Sequence, residues 1–500
     1  MEKLVNRKWS AVPKHIIINI GAHLPLLFQM ELRSLNKHWR SSLNDLAFQS
    51  IENVKPNFVQ LMIETYGSYV QVVNSSFIQN YELSTLKQLC PNITQITLIL
   101  SASTLDRSLD LVQNFKNLTK LVIFSYIEFI GPYSLTLTNF INAVNQLKSL
   151  TYLNFSSSDE FEHPLPKFSS LQNLKKLEIR SNSNDLDTFL AEYNELKSLK
   201  HVNWIIEYYG NESVSKDREK ILTPNTLLTT SSMRSVIVWN HSYSDDGEPI
   251  EDYFSKEFIK LVNNPNFNNL TSLEWMFLRS DNILSNILFD SELPKTQNWL
   301  NLTKLNLFSL DEYLLAYIIR HCPNLVELVT TSPLTIPNCE DPLKLNPLSK
   351  VRRLLIGGFS KKSIDNEEII RHLLPSIATL NINLNFATHI DNDTSMDAYY
   401  IPILFPNLKF CILASPEYDL VNLINNYPGK LNWEELFIEI TYANSHLLDF
   451  LLDKLPKIKN VYLTLNNVNN LPPSKRENIR YFNASRSDDM EFSFNSIREI

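Results

Sequence analysis

Catalysis needs converging polar groups, and the residues able to supply them are scattered along this 500-residue chain. Of the ten histidines, His15, His23 and His38 fall in one short N-terminal stretch and His321 stands directly before Cys322. No HExxH, GxSxG or DxDxDG string occurs. Cys90, Cys322, Cys339 and Cys411 form no CxxC pair, which removes a zinc ribbon and a dithiol redox site. Glu434 and Glu435 are neighbours beside a strand-like run, so they point to opposite faces and make no carboxylate dyad. Asp245-Asp246-Gly247 reads as a solvated turn. Glycine is scarce, at 8 residues, and Gly357-Gly358 is the one adjacent pair, so no glycine-rich loop is available to cradle a phosphate. The expectation is a protein that is not an enzyme and carries no metal or cofactor.

The bulk numbers narrow the partners. Net charge is −8 and no Lys/Arg run exceeds three residues, which argues against a nucleic-acid binder. No stretch of 18 apolar residues occurs, so no membrane helix is expected. The run Ile16-Ile17-Ile18 is broken by Asn19 and is too short for a signal-peptide core. With so few cysteines, reduced thiols and a cytoplasmic or nuclear location are expected.

The positioning elements announce themselves by repetition. An apolar pattern, with positions 1, 4 and 6 filled, recurs as Ile93/Ile96/Leu98, Leu118/Leu121/Ile123, Leu150/Leu153/Phe155, Leu174/Leu177/Ile179 and Leu199/Val202/Trp204. It continues as Met233/Val236/Val238, Leu270/Leu273/Trp275, Leu302/Leu305/Leu307, Leu325/Leu328, Val351/Leu354/Ile356 and Ile377/Leu380/Ile382. Leu408/Cys411/Leu413, Trp433/Leu436/Ile438 and Ile458/Val461/Leu463 complete fourteen copies, about 28 residues apart, with a weaker copy at Phe58/Leu61/Ile63. Alternation over positions 4 to 6 predicts a short strand, and stacking buries what one copy cannot. Helical spacing follows some strands, as in 311–321 and 445–455.

From about residue 56 to 465 this resembles the leucine-rich repeat family. Cys90-Pro91-Asn92-Ile93 and Cys322-Pro323-Asn324-Leu325 look like its cysteine-containing subclass, and Pro406-Asn407-Leu408 is a partial version. The resemblance implies an α/β solenoid, a horseshoe of about 14 irregular repeats. It also implies an asparagine ladder past the strands, for which Asn182, Asn385 and Asn466 are present while most copies lack one.

Residues 1–50 carry no repeat. Three short helices are predicted, over 14–22, 25–34 and 37–48, with Ile16, Ile17, Ile20, Leu24, Leu32 and Leu35 as a small core and prolines at helix starts. The string from Val12 to Leu43 resembles an F-box: Pro13, Ile16, Ile17 and Ile20, then Leu24-Pro25, then Leu32 and Leu35, then Lys37-x-Trp39-Arg40. His15 stands where the family has Glu, the acidic residue after the central Leu-Pro is missing, and Asn36 precedes Lys37 in place of Cys or Ser. The domain reading is 9–50 for the helical module, 51–470 for the solenoid and 471–500 for a C-terminal cap or tail. Phe492, Phe494 and Ile497 are the apolar residues of that tail.

By this resemblance the chain is a substrate-recognition adaptor of an SCF-type cullin-RING ubiquitin ligase. Pro13, Ile16, Ile17, Ile20, Leu24, Pro25, Leu32, Leu35 and Trp39 dock the Skp adaptor, and the repeats hold an unknown target protein. The alternative is a protein-binding scaffold whose degenerate F-box serves as a helical cap. Positions 3, 5 and 7 of each copy face out of the core. There Leu355, Phe410, Ile412, Phe437 and Tyr462 would form an exposed apolar stripe, and Lys120, Lys176 and Arg180 a basic patch suited to an acidic or phosphorylated peptide. The polar stretches 208–230, 243–252 and 388–399 read as loops.

Overall fold

A computed structural model describes residues 12–22, 26–50, 56–78, 81–126, 134–157, 168, 170–181, 196–206, 233–240, 258, 261–277, 299–307, 310–383, 400–414, 431–440, 457, 459–465 and 479–483. The three loops just named, the segment 445–455, Asn182, Asn385, Asn466 and the tail aromatics lie outside these residues. The chain divides into two compact units, Met1–Gly247 and Glu248–Ile500.

The first unit opens with helices α1 (Lys14–Ala22), α2 (Leu26–Arg33) and α3 (Lys37–Ala47). Ile17, Trp39 and Leu43 are buried at their centre, with Val12, Leu32 and Leu46 packed around them. Asn36 caps α3, its side chain accepting from the Trp39 amide at 3.0 Å. Gly21 lets α1 close on α3, since a Cβ there would lie 2.4 Å from Leu43 Cδ2.

After α3 the chain joins a sheet directly. Gln49 O accepts from the Gln71 and Val72 amides, at 2.8 and 2.9 Å, and Ser50 bridges Val72 in parallel. Helix α4 (Pro56–Tyr66) packs back, Tyr66 stacking on Phe48 with ring centroids 3.8 Å apart. The buried Arg33 lies over both rings, 4.3 Å from Phe48 and 5.5 Å from Tyr66, and donates to Asn44 Oδ1 at 2.9 Å.

Seven parallel strands follow in chain order: β1 (Val72–Asn74), β2 (Gln95–Leu100), β3 (Lys120–Ser125), β4 (Tyr152–Ser157), β5 (Lys176–Ser181), β6 (His201–Ile206) and β7 (Ser235–Asn240). The connections carry α5 (Ser75–Ile78), α6 (Leu83–Leu89), α7 (Leu105–Asn114) and α8 (Ser134–Asn145). In the second unit the sheet order is β8 (Ser272–Phe277), β9 (Lys304–Leu307), β10 (Glu327–Thr330), β12 (Arg353–Ile356), β14 (Thr379–Asn383), β15 (Phe410–Ala414), β16 (Glu435–Ile440), β17 (Asn460–Leu465) and β18 (Ile479–Asn483). Helices α9 (Glu312–His321), α10 (Lys361–Asp365), α11 (Glu367–Leu373) and α12 (Ile401–Leu404) lie between them. A small second ladder pairs β11 (Pro333–Leu334) with β13 (Gly358–Phe359).

The fold is α/β with a long, open parallel sheet. Within each unit the order never reverses, unlike a doubly wound sheet at its switch point. Every described copy of the apolar pattern enters at the same register, for example Ile96↔Leu121↔Leu153↔Leu177↔Val202. Positions 4 and 6 are buried: Leu98, Ile123, Phe155 and Ile179 in the first unit, Leu305, Leu307, Leu354 and Ile356 in the second. Each such side chain removed from water stabilises by roughly 1.5–3 kcal/mol.

One expectation is corrected. Phe58, Leu61 and Ile63 form no strand but lie in α4, with Leu61 exposed. The strand at the start of the sheet is β1, where Val70 and Val73 fill positions 1 and 4 and the buried Ser75 fills position 6. Ser75 Oγ accepts from the Ile99 amide at 3.2 Å, so a hydroxyl holds a place that elsewhere is apolar. At the other end, β18 adds a strand from within the segment read as a cap or tail.

Candidate functional site

The turn before each strand is built alike. The residue three before position 1 is buried: Cys90, Leu147, Leu171, Trp299, Cys322 and Phe405 all serve there. The asparagine one before position 1 donates to a carbonyl of the preceding copy. Asn92 reaches Ser68 O at 2.8 Å, Asn173 Lys148 O at 2.7 Å, Asn301 Asn268 O at 2.6 Å, Asn324 Leu300 O at 2.6 Å and Asn407 Pro375 O at 3.0 Å. Thus the Cys-Pro-Asn strings are packing and ladder elements. Burial pushes the Cys90 thiol up to about 11 and raises those of Cys322 and Cys411, keeping them protonated.

On the helical module the expected docking residues separate. Ile16, Ile20 and Leu35 are 40%, 39% and 45% exposed, and Pro13 is exposed. Ile16 and Ile20 share one face of α1, four residues apart. Pro13 O caps α1 by accepting from the Ile16 and Ile17 amides at 3.0 and 3.2 Å. Ile17 and Trp39, expected among the docking residues, are instead buried in the module's core at 0% and 1% exposure, and Leu32 packs beside them. Leu24 and Pro25 lie outside the described residues.

The strand face opposite the helices carries positions 3 and 5. In the first unit Lys120, Tyr152, Lys176 and His201 form one row across β3–β6. The Tyr152 ring has Lys120 Nζ 5.0 Å and Lys176 Nζ 5.1 Å from its centroid. Tyr152 Oη donates to Glu178 Oε2 at 2.5 Å, Asn154 Nδ2 donates to the same oxygen at 2.9 Å, and Lys176 Nζ lies 2.7 Å from Glu178 Oε1. Burial and then the Glu178 partner raise the Tyr152 phenol, so it stays a donor. Arg180 lies further along β5, in register with Ser156. Lys120 and Lys176 thus flank the Tyr152 ring from the two neighbouring strands, and Glu178 partly neutralises Lys176.

In the second unit Leu355, Ile412, Phe437 and Tyr462 share the position-5 row with Asn381 between Leu355 and Ile412. The expectation of an exposed stripe is corrected at Leu355 and Ile412, which are 6% and 7% exposed. Neighbouring strands about 4.8 Å apart cover them on both sides. Phe410 is half-buried, and the side chains of Phe437 and Tyr462 lie outside the described part. Positions 2 and 3 here are charged and paired. Lys304 bonds Glu274 and lies 3.7 Å from Glu327, which Arg353 also approaches at 3.7 Å. Glu434 sits between Lys409, at 3.2 Å, and Lys459, at 2.5 Å, and hydrogen bonds from both hold its carboxyl below the ordinary range. These pairings were not found in the sequence, because partners 23 to 30 residues apart become visible only once the strand register is known.

No protein-family model matches the chain, and no curated protein matches its sequence. Among solved structures the chain is similar to the crystal structure of the Rad7 and Elc1 complex in yeast, at 12% identity and TM-score 0.35, over 96% of this chain and 94% of that one. It is also similar to a crystallised protein from Bacteroides fragilis, at 16% identity and TM-score 0.28, over 52% of this chain and 69% of that one.

Proposed function

We propose that the chain is a substrate-recognition adaptor: a leucine-rich-repeat solenoid that holds a target protein, joined to an F-box-like module that docks the Skp adaptor of a cullin-RING ubiquitin ligase. The mechanism is proximity, which raises effective concentration, and the chain does no chemistry itself. The observation that carries this reading is the exposure of Ile16, Ile20 and Leu35 on a module whose own core is filled by Ile17, Trp39 and Leu43. Apolar side chains left out of a core that small suit a partner's groove. The working compartment is the cytoplasm or nucleus.

A second reading is favoured by the continuity at Gln49 and by Arg33 over Phe48 and Tyr66. In it, the module is a helical cap that protects the edge of the sheet, and the chain is a scaffold without a ligase. Pull-down with recombinant Skp adaptor separates the two. The intact chain binds and Ile16→Asp/Ile20→Asp does not, with both equally folded by circular dichroism. Absence of binding by the intact chain leaves the scaffold.

A further inference from the structure

Position 2 of the repeat, just ahead of each strand, adds a row of charge to the one on the strands. On β5 to β7 it reads Lys175, Lys200 and Arg234, and the adjoining position 3 reads Lys176, His201 and Ser235. The backbone fixes the alignment, since the Lys200 and His201 amides both donate to Lys175 O and the Arg234 and Ser235 amides both donate to Lys200 O. Lys175, Lys176, Lys200 and His201 are exposed. Lys120 continues the row through the Tyr152 ring.

The second unit shows what a neutralised version looks like. There the same two positions alternate in sign, as Lys409–Glu434–Lys459 and Lys304–Glu327–Arg353. On β3 to β7, Glu178 meets Lys176, and among the described residues no carboxylate pairs with Lys175 or Lys200. Partial desolvation of the His201 ring lowers its pKa first, and the neighbouring Lys176 and Lys200 lower it further. Among the described residues of these two positions on β3 to β7, cations are in excess, on a protein whose total is −8.

We propose that the strip formed by Lys120, Lys175, Lys176, Lys200, His201 and Arg234 docks an extended acidic peptide segment of a partner protein. This rests on reading the repeats as a target-holding surface. Four strand spacings of about 4.8 Å make the strip about 19 Å long, which an extended peptide covers in about six residues. Lysine and arginine match carboxylates or phosphates on such a segment by charge-assisted hydrogen bonds. A single-stranded nucleic acid fits less well. It needs aromatic platforms for its bases, and Tyr152, the one such ring in these two rows besides His201, is taken up by two ammonium groups.

The test uses the full chain and fluorescence anisotropy with three labelled probes: a six-glutamate peptide flanked by Gly-Ser, its six-serine counterpart, and a twelve-residue oligouridine. Lys175→Glu/Lys200→Glu is compared with Lys116→Glu/Lys361→Glu, which makes the same change in net charge elsewhere. The glutamate peptide binds the wild-type and control chains and binds the strip variant at least about tenfold more weakly. Equal loss in both variants, equal binding of the serine peptide, tighter binding of oligouridine, or no binding of the glutamate peptide to wild type each overturns the proposal. The strip variant retains Skp-adaptor binding in the pull-down, and an adaptor-negative chain that still binds the glutamate peptide through the strip would remove the ligase reading alone.

Discussion

Trp39 belongs to the expected docking set, yet its side chain lies inside the helical module. Its indole is 1% exposed and clusters with Ile17 and Leu43, so it organises the three helices from inside. Trp39→Ala is expected to cost about 3–5 kcal/mol. Forty residues cannot absorb that, so amides 14–47 lose hydrogen-exchange protection while β2 and β3 keep theirs. Ile16→Asp/Ile20→Asp leaves the same amides protected. The sequence could not separate these roles, because Ile16, Ile17, Ile18 and Ile20 spread apolar side chains around most of α1 and Asn19 alone interrupts them. Leu355 and Ile412 failed for a related reason: alternation says which way a side chain points but not whether its neighbours cover it. His201 yields a second prediction. Its pKa lies below the ordinary 6.5, from burial first and the two lysines next. The folded chain therefore binds the proton less well than the unfolded one, and this histidine's contribution to stability is lost as pH falls below about 6.5. Histidine NMR titration gives a midpoint below 6.5 that moves up in Lys200→Gln; an unmoved midpoint removes the lysine's share.

At the level of the single repeat, strand positions were legible because positions 4 and 6 bury aliphatic side chains in almost every copy. Where they do not, the copy was missed or truncated: Ser75 takes position 6 of the first strand and the fully buried Thr330 takes it after Leu328. The ladder asparagine was looked for past the strands, whereas Asn92, Asn173, Asn301, Asn324 and Asn407 use the turn before them. Asn324→Ala removes one rung at an accessible turn and is expected to lower stability by about 1 kcal/mol. The Gly357-Gly358 pair, excluded as a phosphate loop, has a structural task in the β11–β13 ladder. A Cβ on Gly357 would lie 1.9 Å from Thr331 O, and Gly358 has φ 152°. Gly357→Ala is expected to cost about 3 kcal/mol, from the backbone shift it forces. Urea titration of the two variants ranks them; an alanine at 357 that is better tolerated than one at 324 would contradict this account of the turn.

Over the whole chain, scarcity of glycine and a pattern returning about every 28 residues pointed to stacking instead of separate cores, and the sequential strand order of each unit has that form. Partition into two units left one trace in the sequence: residue 247 falls in the polar stretch 243–252, inside the longest gap between copies, from Met233 to Leu270. Stacking has an energetic consequence. Each strand meets only the one before and the one after, so stability is a sum of local and nearest-neighbour terms. Leu354, on β12, is 2% exposed and pairs in register with Leu328 and Leu380. Leu354→Ala is expected to cost about 2–5 kcal/mol, and the loss should stay near its origin. Hydrogen exchange followed by mass spectrometry should quicken in peptides spanning β10, β12 and β14 and stay unchanged across β16 and β17. Uniform acceleration along the second unit would mean that it opens as one cooperative body, and the nearest-neighbour account of its stability would then fail.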